Sequence, residues 1–182
     1  MFPRMLLQAV VRMCATSKAH TVWLSLGSNI GDRLAYIETA IERLSGILAD
    51  MQIAPIYDTS PLDYFNQPNF LNTVIKGETA LIPRELLDEI RTIEHAIGRK
   101  RTTKKGPRTI DIDILVYGSI CETYGIDSNS YLTVPHESMH VRLFVLRPLL
   151  DLNPDLVDPR DGVPWSIKAE KLSEQKVEPY IR

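Results

Sequence analysis

Residues 106–117 read Gly-Pro-Arg-Thr-Ile-Asp-Ile-Asp-Ile-Leu-Val-Tyr, so that isoleucine alternates with Asp111 and Asp113. This alternation predicts a strand, on which residues two apart point to the same face. Two carboxylates held side by side repel each other unless a cation lies between them, and Mg²⁺ favours a few carboxylates plus phosphate oxygens. The pair therefore indicates a magnesium site; the plainer alternative is the polar face of a half-solvated strand.

The segment just before this strand is strongly basic, and no acidic residue interrupts it. Like charges at this density repel one another until an anion arrives, and arginine grips phosphate oxygens with two parallel hydrogen bonds. A solvated loop is the alternative for the charge run alone. Followed by two aspartates, the run favours a polyphosphate carried with its metal. The cations are Arg99, Lys100, Arg101, Lys104, Lys105 and Arg108.

Composition limits the class of protein. A chain of 182 residues is long enough for one domain with a real core, and its net charge of −2 gives no general attraction to nucleic acid or anionic membranes. The positive charge is local, which favours a small anionic ligand. Cys14 and Cys121 are too few for a disulfide framework. We expect a cytoplasmic monomer without nucleic-acid or membrane partners.

Residues 1–19 contain three basic residues and no acid. They resemble a weak targeting peptide, but their apolar part from Met5 to Val11 is short and interrupted by Gln8. We interpret residues 1–19 as a flexible extension and residues 20–182 as a single domain.

The remaining patterns predict the order of the elements. Strands are expected over 21–27, 51–59 and 70–78, and apolar residues at helical spacing follow the first and third of them. Asn29 is the expected cap of the first helix, and Pro83 begins the second. With the aspartate strand, the order is βαββαβ. This order predicts a ferredoxin-like α+β fold with a mostly antiparallel sheet and both helices on one face. Short helices over 140–150 and 165–176 would be extra C-terminal elements.

Two further features concern ligands. Asn72 lies in a predicted strand, where asparagine is disfavoured, and its amide offers a donor and an acceptor to a ligand or to a buried structural partner. His136 and His140 are four residues apart, but no third ligand supports a zinc site. Beside arginines, His136 can donate a hydrogen bond to a phosphoryl oxygen.

With these motifs the chain resembles the 6-hydroxymethyl-7,8-dihydropterin pyrophosphokinase family of folate biosynthesis. The Gly-Pro-Arg-Thr-Ile-Asp-Ile-Asp string is highly specific to that family, whereas the other segments would be weak singly. The resemblance covers residues 20–155. Its remaining segments are 26–29, 59–62, 67–72, 93–94, 98–101, 135–136 and 142–144.

The resemblance implies that the hydroxymethyl oxygen of the pterin attacks the β-phosphorus of ATP and that AMP leaves. It implies that Asp111 and Asp113 bind two Mg²⁺ ions, and that Arg99 and Arg108 stabilise the phosphoryl charge, so that these four residues are catalytic. The implied ATP-binding residues are Glu94, Arg99, Arg101, Arg108, Ile114, His136 and Arg142.

For the pterin, the resemblance implies that Phe70 and Phe144 stack on the two faces of the ring and that Asn72 contacts its edge. Without the aspartate string, core packing would be the preferred role of both phenylalanines. The basic loop lacks the tryptophan that many relatives carry there, but we expect it to close over ATP. The implied pterin-binding residues are Gly27, Thr59, Pro61, Leu62, Phe70, Asn72 and Phe144.

Two rival functions remain at this stage. The βαββαβ order also suits RNA-recognition modules, but Asp111 and Asp113 would repel phosphate there without a metal. The other rival is a non-catalytic protein that binds pterin or nucleotide on the same scaffold without turnover.

Overall fold

The computed structural model describes residues 18–62, 65–99, 106–125 and 131–182. Most of the predicted N-terminal extension and of the basic loop lies outside these residues. The strands are β1 His20–Ser28, β2 Ala49–Ile53, β3 Tyr57–Thr59, β4 Phe70–Thr79, β5 Asp111–Tyr117, β6 Glu122–Tyr124, β7 Leu132–Val134 and β8 Val177–Pro179. The helices are α1 Arg33–Leu44, α2 Pro83–Ala96, α3 Leu143–Leu152 and α4 Trp165–Glu170, and a 3₁₀ turn spans Met139–Val141.

The main sheet has the strand order β5-β1-β4-β3-β8, with β2 also paired to β4, and every one of these pairs is antiparallel. The predicted ferredoxin-like α+β fold is confirmed. The register places Gly27 of β1 opposite Asn72 on one side and Asp111 on the other. Ser25 lies opposite Asp113. One glycine therefore separates the predicted pterin-binding amide from the predicted metal-binding carboxylates.

The sheet has a core on each face. Helices α1 and α2 cover the first face, where Val22, Leu24 and Leu26 of β1 are buried with apolar residues of both helices. Helices α3 and α4 cover part of the second face, where Trp23 and Trp165 are buried. The prediction that the two helices of the βαββαβ unit share a face is therefore confirmed. Asp111 and Asp113 alternate with buried Ile112 and so face away from α1 and α2.

Local details differ from the sequence-based expectations. The N-cap of α1 is Asp32, which accepts from the Ala35 amide at 3.1 Å, so the prediction that Asn29 caps this helix is wrong. The strand expected over 51–59 is two strands, β2 and β3. Helix α4 ends at Glu170, before the predicted residue 176, and the sequence patterns did not indicate β8. None of the described helices has the length and apolar character that crossing a membrane requires.

Candidate active site

A cavity of about 270 Å³ opens on the second face of the sheet. Three of its lining residues, Ser25, Ser60 and Gln67, were not predicted from the sequence. Most of the predicted site residues line it together. They are Gly27, Thr59, Pro61, Leu62, Phe70, Asn72, Arg99, Arg108, Asp111, Asp113, His136, Arg142 and Phe144.

The two carboxylates of β5 lie among arginines. One carboxylate oxygen of Asp111 is 2.6 Å from Arg99 and the other is 2.7 Å from Arg108. Arg142 lies 3.8 Å from Asp113, too far for a hydrogen bond. The pKa of Asp111 is raised, mainly by burial and to a smaller extent by the charge of Asp113. The charges of Arg108 and Arg99 lower it. Guanidinium groups thus provide the positive charge that a pair of neighbouring carboxylates requires.

The donor set fits magnesium. Asp113 is the more open carboxylate, with 36% of its side chain exposed. Among the described residues, no cluster of three His, Cys, Asp or Glu side chains could hold a metal. Mg²⁺ does not need such a cluster, because it binds through one or two carboxylates together with water and substrate phosphates. Binding at Asp111 would require one of its two arginine contacts to give way.

Glu94 and Ile114 do not line the cavity. Ile114 is buried in the first core. Glu94 is buried behind Arg99, where its carboxylate accepts hydrogen bonds from the Arg99 guanidinium and, at 2.7 Å, from the Ile112 amide. Glu94 therefore holds both an arginine of the pocket and the backbone between the two aspartates. Arg101 lies outside the described residues.

Burial raises the pKa of Glu94 from 4.5 to about 7, although the charge of Arg99 lowers it. Between these values the folded protein keeps a proton that the unfolded chain releases, so the stability that this group contributes is lost as the pH rises from about 4.5 to 7. For Glu94→Gln, which has no proton to lose, the fall in unfolding free energy between pH 5 and 8 should be smaller by about 2–3 kcal/mol.

Urea unfolding of the metal-free protein at both pH values measures this difference. Glu89→Gln, an exposed change on the same helix, is the matched control and should leave the pH dependence unchanged. Equal pH dependence for wild type and Glu94→Gln would contradict the assignment.

His136 is oriented as a hydrogen-bond donor. Its Nδ1 accepts from the Ser138 amide at 3.2 Å, so the neutral ring carries its proton on Nε2. Burial lowers the pKa of His136, which favours this neutral form at pH 7. The ring can therefore donate one hydrogen bond to a phosphoryl oxygen. His140 is exposed and does not line the cavity.

The cavity also has an aromatic part, which adjoins the arginines. The Arg108 guanidinium lies 5.5 Å from the centre of the Phe70 ring, and that of Arg142 lies 5.8 Å from the centre of the Phe144 ring. Asn72 is buried, and its amide nitrogen donates to the Thr59 hydroxyl at 2.7 Å. This hydrogen bond fixes the orientation of the amide and uses only one of its two N–H groups. Asn72 therefore has the structural partner of one alternative and also lines the cavity, and its contact with a ligand stays a prediction.

Gly27 leaves room for that amide. A Cβ at this position would lie 2.6 Å from Oδ1 of Asn72, whose side chain cannot retreat without breaking its bond to Thr59. If the sequence-based expectation of a pterin ligand is right, Gly27→Ala should weaken its binding about ten- to a hundredfold, because overpacking at a buried site costs about 1–3 kcal/mol. Calorimetric titration with a pterin analogue measures the effect. Titration with an ATP analogue is the internal control and should change little; equal losses for both ligands would contradict the prediction.

Asn29 was expected to cap α1, but in the structure its side chain holds the backbone of Arg108, a residue of the cavity. Its side-chain Oδ1 accepts a hydrogen bond from the backbone amide of Arg108 at 2.8 Å. The backbone amide of Asn29 donates to the backbone carbonyl of Arg108 at 3.2 Å. Its Nδ2 donates to Gln67 and to the Pro68 carbonyl. The buried side chain thus joins the loops before α1, β4 and β5. The segment that contains Asn29 was part of the family resemblance, which was the available signal.

We expect Asn29→Ala to lower the unfolding free energy by about 2 kcal/mol, because it leaves the Arg108 amide without its acceptor. It should also lower turnover at least tenfold. Asn29→Asp keeps that acceptor and loses the donors to the β4 loop, so it should retain more activity than Asn29→Ala. Denaturant unfolding and steady-state rates test both variants. Equal losses would show that Arg108 does not depend on this hydrogen bond.

The fold and the cavity together suit a protein that binds an anionic ligand at carboxylates and arginines beside aromatic side chains. Residues 23–154 match the sequence model of the family described as 7,8-dihydro-6-hydroxymethylpterin-pyrophosphokinase (HPPK). The chain belongs to this family. The prediction that the chain belongs to the pyrophosphokinase family of folate synthesis is confirmed.

Named relatives support the assignment. The chain is 43% identical over 139 residues to the 2-amino-4-hydroxy-6-hydroxymethyldihydropteridine pyrophosphokinase of Aquifex aeolicus, covering 76% of this chain and 84% of that protein. It is 40% identical over 176 residues to the folic acid synthesis protein fol1 of Schizosaccharomyces pombe, covering 96% of this chain and 23% of that protein.

Solved structures share the fold. A Plasmodium falciparum HPPK-DHPS triple mutant crystallised with SDX-DHP superposes with a TM-score of 0.72 at 17% identity, over 87% of this chain and 45% of that one. The chain therefore spans about a quarter of the length of the S. pombe protein and less than half of the P. falciparum chain.

Proposed function

We propose that this chain transfers the pyrophosphoryl group of ATP to the hydroxymethyl oxygen of 6-hydroxymethyl-7,8-dihydropterin. The new bond forms between that oxygen and the β-phosphorus, and the proton of the hydroxyl group is released to the solvent. The bond from the β-phosphorus to the oxygen that bridges it to the α-phosphorus breaks, and AMP leaves with that oxygen. One observation carries the proposal: a single cavity places Asp111 and Asp113 beside arginines and, across Gly27, beside Asn72 and an aromatic ring.

At the phosphate end, we assign Asp111 and Asp113 as the ligands of two Mg²⁺ ions. When bound, magnesium would neutralise phosphate charge and stabilise both the attacking and the leaving oxygen. Phosphoryl transfer depends mainly on positioning and electrostatics. Arg99 and Arg108, which contact Asp111 in the structure, would exchange part of these contacts for phosphoryl oxygens, and Arg142 and His136 would hold the rest of the triphosphate.

For the pterin, Phe70 and Phe144 stack on the two faces of the ring, and Asn72 forms hydrogen bonds with its polar edge. Stacking between aromatic faces suits a flat heteroaromatic ring. Thr59, Pro61 and Leu62 complete this wall of the cavity. We also propose that Arg101 binds ATP and that residues 99–108 close over the nucleotide. Hydrogen exchange with and without an ATP analogue and magnesium tests the closure, which equal protection in both states would contradict.

The reaction is tested by mixing the protein with ATP, magnesium and the pterin and resolving the nucleotides. AMP should appear in step with pterin diphosphate, and it should depend on both pterin and magnesium. ADP as the nucleotide product would indicate an ordinary kinase. Pterin binding without any nucleotide product would indicate the non-catalytic binder.

The wider assignments belong to the same proposal. We propose residues 20–182 as one domain that works as a monomer in the cytoplasm, with ATP and the pterin as its ligands and without nucleic-acid or membrane partners. Sedimentation at micromolar concentration tests the monomer, and cell fractionation tests the compartment. A concentration-independent dimer, or recovery of the chain in an organelle fraction, would contradict the corresponding assignment.

A further inference from the structure

The tail segment, residues 171–180, lies beyond the residues that match the family and joins two walls of the cavity. It follows α4, passes the 3₁₀ turn and ends on the sheet as β8. Leu172 packs against the second core and Tyr180 against the first. The segment is therefore anchored on both faces of the sheet.

Gln175 holds the backbone around Arg142. Its side-chain carbonyl accepts from the Leu143 amide at 2.8 Å, and its side-chain N–H donates to the Val141 carbonyl at 2.9 Å. These two groups flank Arg142, which is the N-cap of α3 and makes no side-chain capping bond. One amide therefore fixes the chain on both sides of a pocket arginine, and Phe144 follows in the first turn of the same helix.

Two residues further on, the tail segment holds the opposite wall. Val177 pairs with Thr59, and Tyr180 donates its amide hydrogen to the Ile56 carbonyl at 2.8 Å. The hydroxyl of Thr59 is the acceptor for the buried amide of Asn72. Strand β8 thus gives β3 a second neighbour and stabilises the strand that orients the proposed pterin-binding asparagine.

We infer that Gln175 is a positioning residue for the reaction, because it places Arg142 for contact with the triphosphate. The adjacent strand β8 holds β3, and with it Thr59, in place. The inference rests on the proposed function. It concerns alignment of the pocket rather than chemistry, because Gln175 does not line the cavity. A purely structural role would affect unfolding and leave the response to nucleotide unchanged.

Gln175→Met keeps the length of the side chain and removes both hydrogen bonds. The dissociation constant for a non-hydrolysable ATP analogue with magnesium should rise about tenfold, because the two hydrogen bonds that hold the backbone on either side of Arg142 are lost. The KM for ATP should rise more than kcat falls. Glu174→Ala, an exposed change at the preceding residue, is the control and should match wild type. An unchanged dissociation constant in folded Gln175→Met would overturn the inference.

A double-mutant cycle separates positioning from general destabilisation. Arg142→Ala should weaken analogue binding strongly in the wild-type background and much less in Gln175→Met, because the arginine is already misplaced there. Additive losses would overturn the inference. Gln175→Glu keeps only the acceptor for Leu143 and should give an intermediate dissociation constant, which also provides the comparison if Gln175→Met does not fold. Failure of the proposed function is distinguishable, since wild type would then form no AMP.

Discussion

Asp111→Asn and Asp113→Asn are each expected to lower the rate of AMP formation at least ~10³-fold, since a metal clamp supplies several kcal/mol of transition-state stabilisation. Asparagine has nearly the same shape as aspartate but no charge, so the change removes the anionic ligand and little packing. The loss should fall mainly on kcat, because the arginines and His136 remain to bind phosphate. In Asp111→Asn the contacts to Arg99 and Arg108 also weaken.

Single-turnover measurement of AMP at saturating ATP and pterin is the appropriate readout. Asp155→Asn makes the same chemical change at an exposed position and should leave the rate unchanged. Thermal unfolding of each variant shows whether the fold is retained. Wild-type turnover in a folded Asp111→Asn or Asp113→Asn protein would contradict the assignment of that residue as a metal ligand.

Arg108→Ala is the second large expected effect, with a fall in kcat/KM of about 10²–10³-fold, the range seen when one donor to a developing oxyanion is removed. Arg108 contacts Asp111 with one nitrogen and lies over the Phe70 ring. Its buried Nε has no hydrogen-bond partner among the described residues. In the proposed function, a phosphoryl oxygen would supply the acceptor that this side chain lacks.

Arg108→Lys separates charge from geometry. Lysine keeps the positive charge but lacks the planar pair of donors, so it should recover only part of the loss. Arg43→Ala removes an exposed arginine of α1 and should have no effect on kcat/KM. Full activity in Arg108→Ala, or complete recovery in Arg108→Lys, would show that the bidentate geometry of this residue is not used.

Local patterns were sufficient for the fold because each element carries its own periodicity. The alternation around Asp111 and the helical spacing of apolar residues give the type and order of the elements, and the order alone leaves few topologies. Strand β8 was not predicted because Val177–Pro179 is three residues long and is specified by its partner β3 rather than by its own pattern. Asn29 was expected to cap α1, but Asp32 does so, and Asn29 accepts instead from the Arg108 amide, which is distant in sequence.

The candidate site was predictable where it depends on runs of neighbouring residues. The basic loop and the aspartate strand adjoin in sequence, and the structure brings Arg99 and Arg108 onto Asp111. The burial of Glu94 behind Arg99 depends on how α2 packs against β5, which no local pattern records. The same is true of Gln175, whose partners lie more than thirty residues away.

The most direct test of the central claim is a crystal of the wild-type protein with a non-hydrolysable ATP analogue, the pterin and Mn²⁺ in place of Mg²⁺. We predict two anomalous peaks within about 2.0–2.3 Å of oxygens of Asp111 and Asp113, with nucleotide oxygens completing the coordination. Nucleotide in the cavity with no anomalous peak beside either carboxylate, and with Arg99 and Arg108 still on Asp111, would contradict the account.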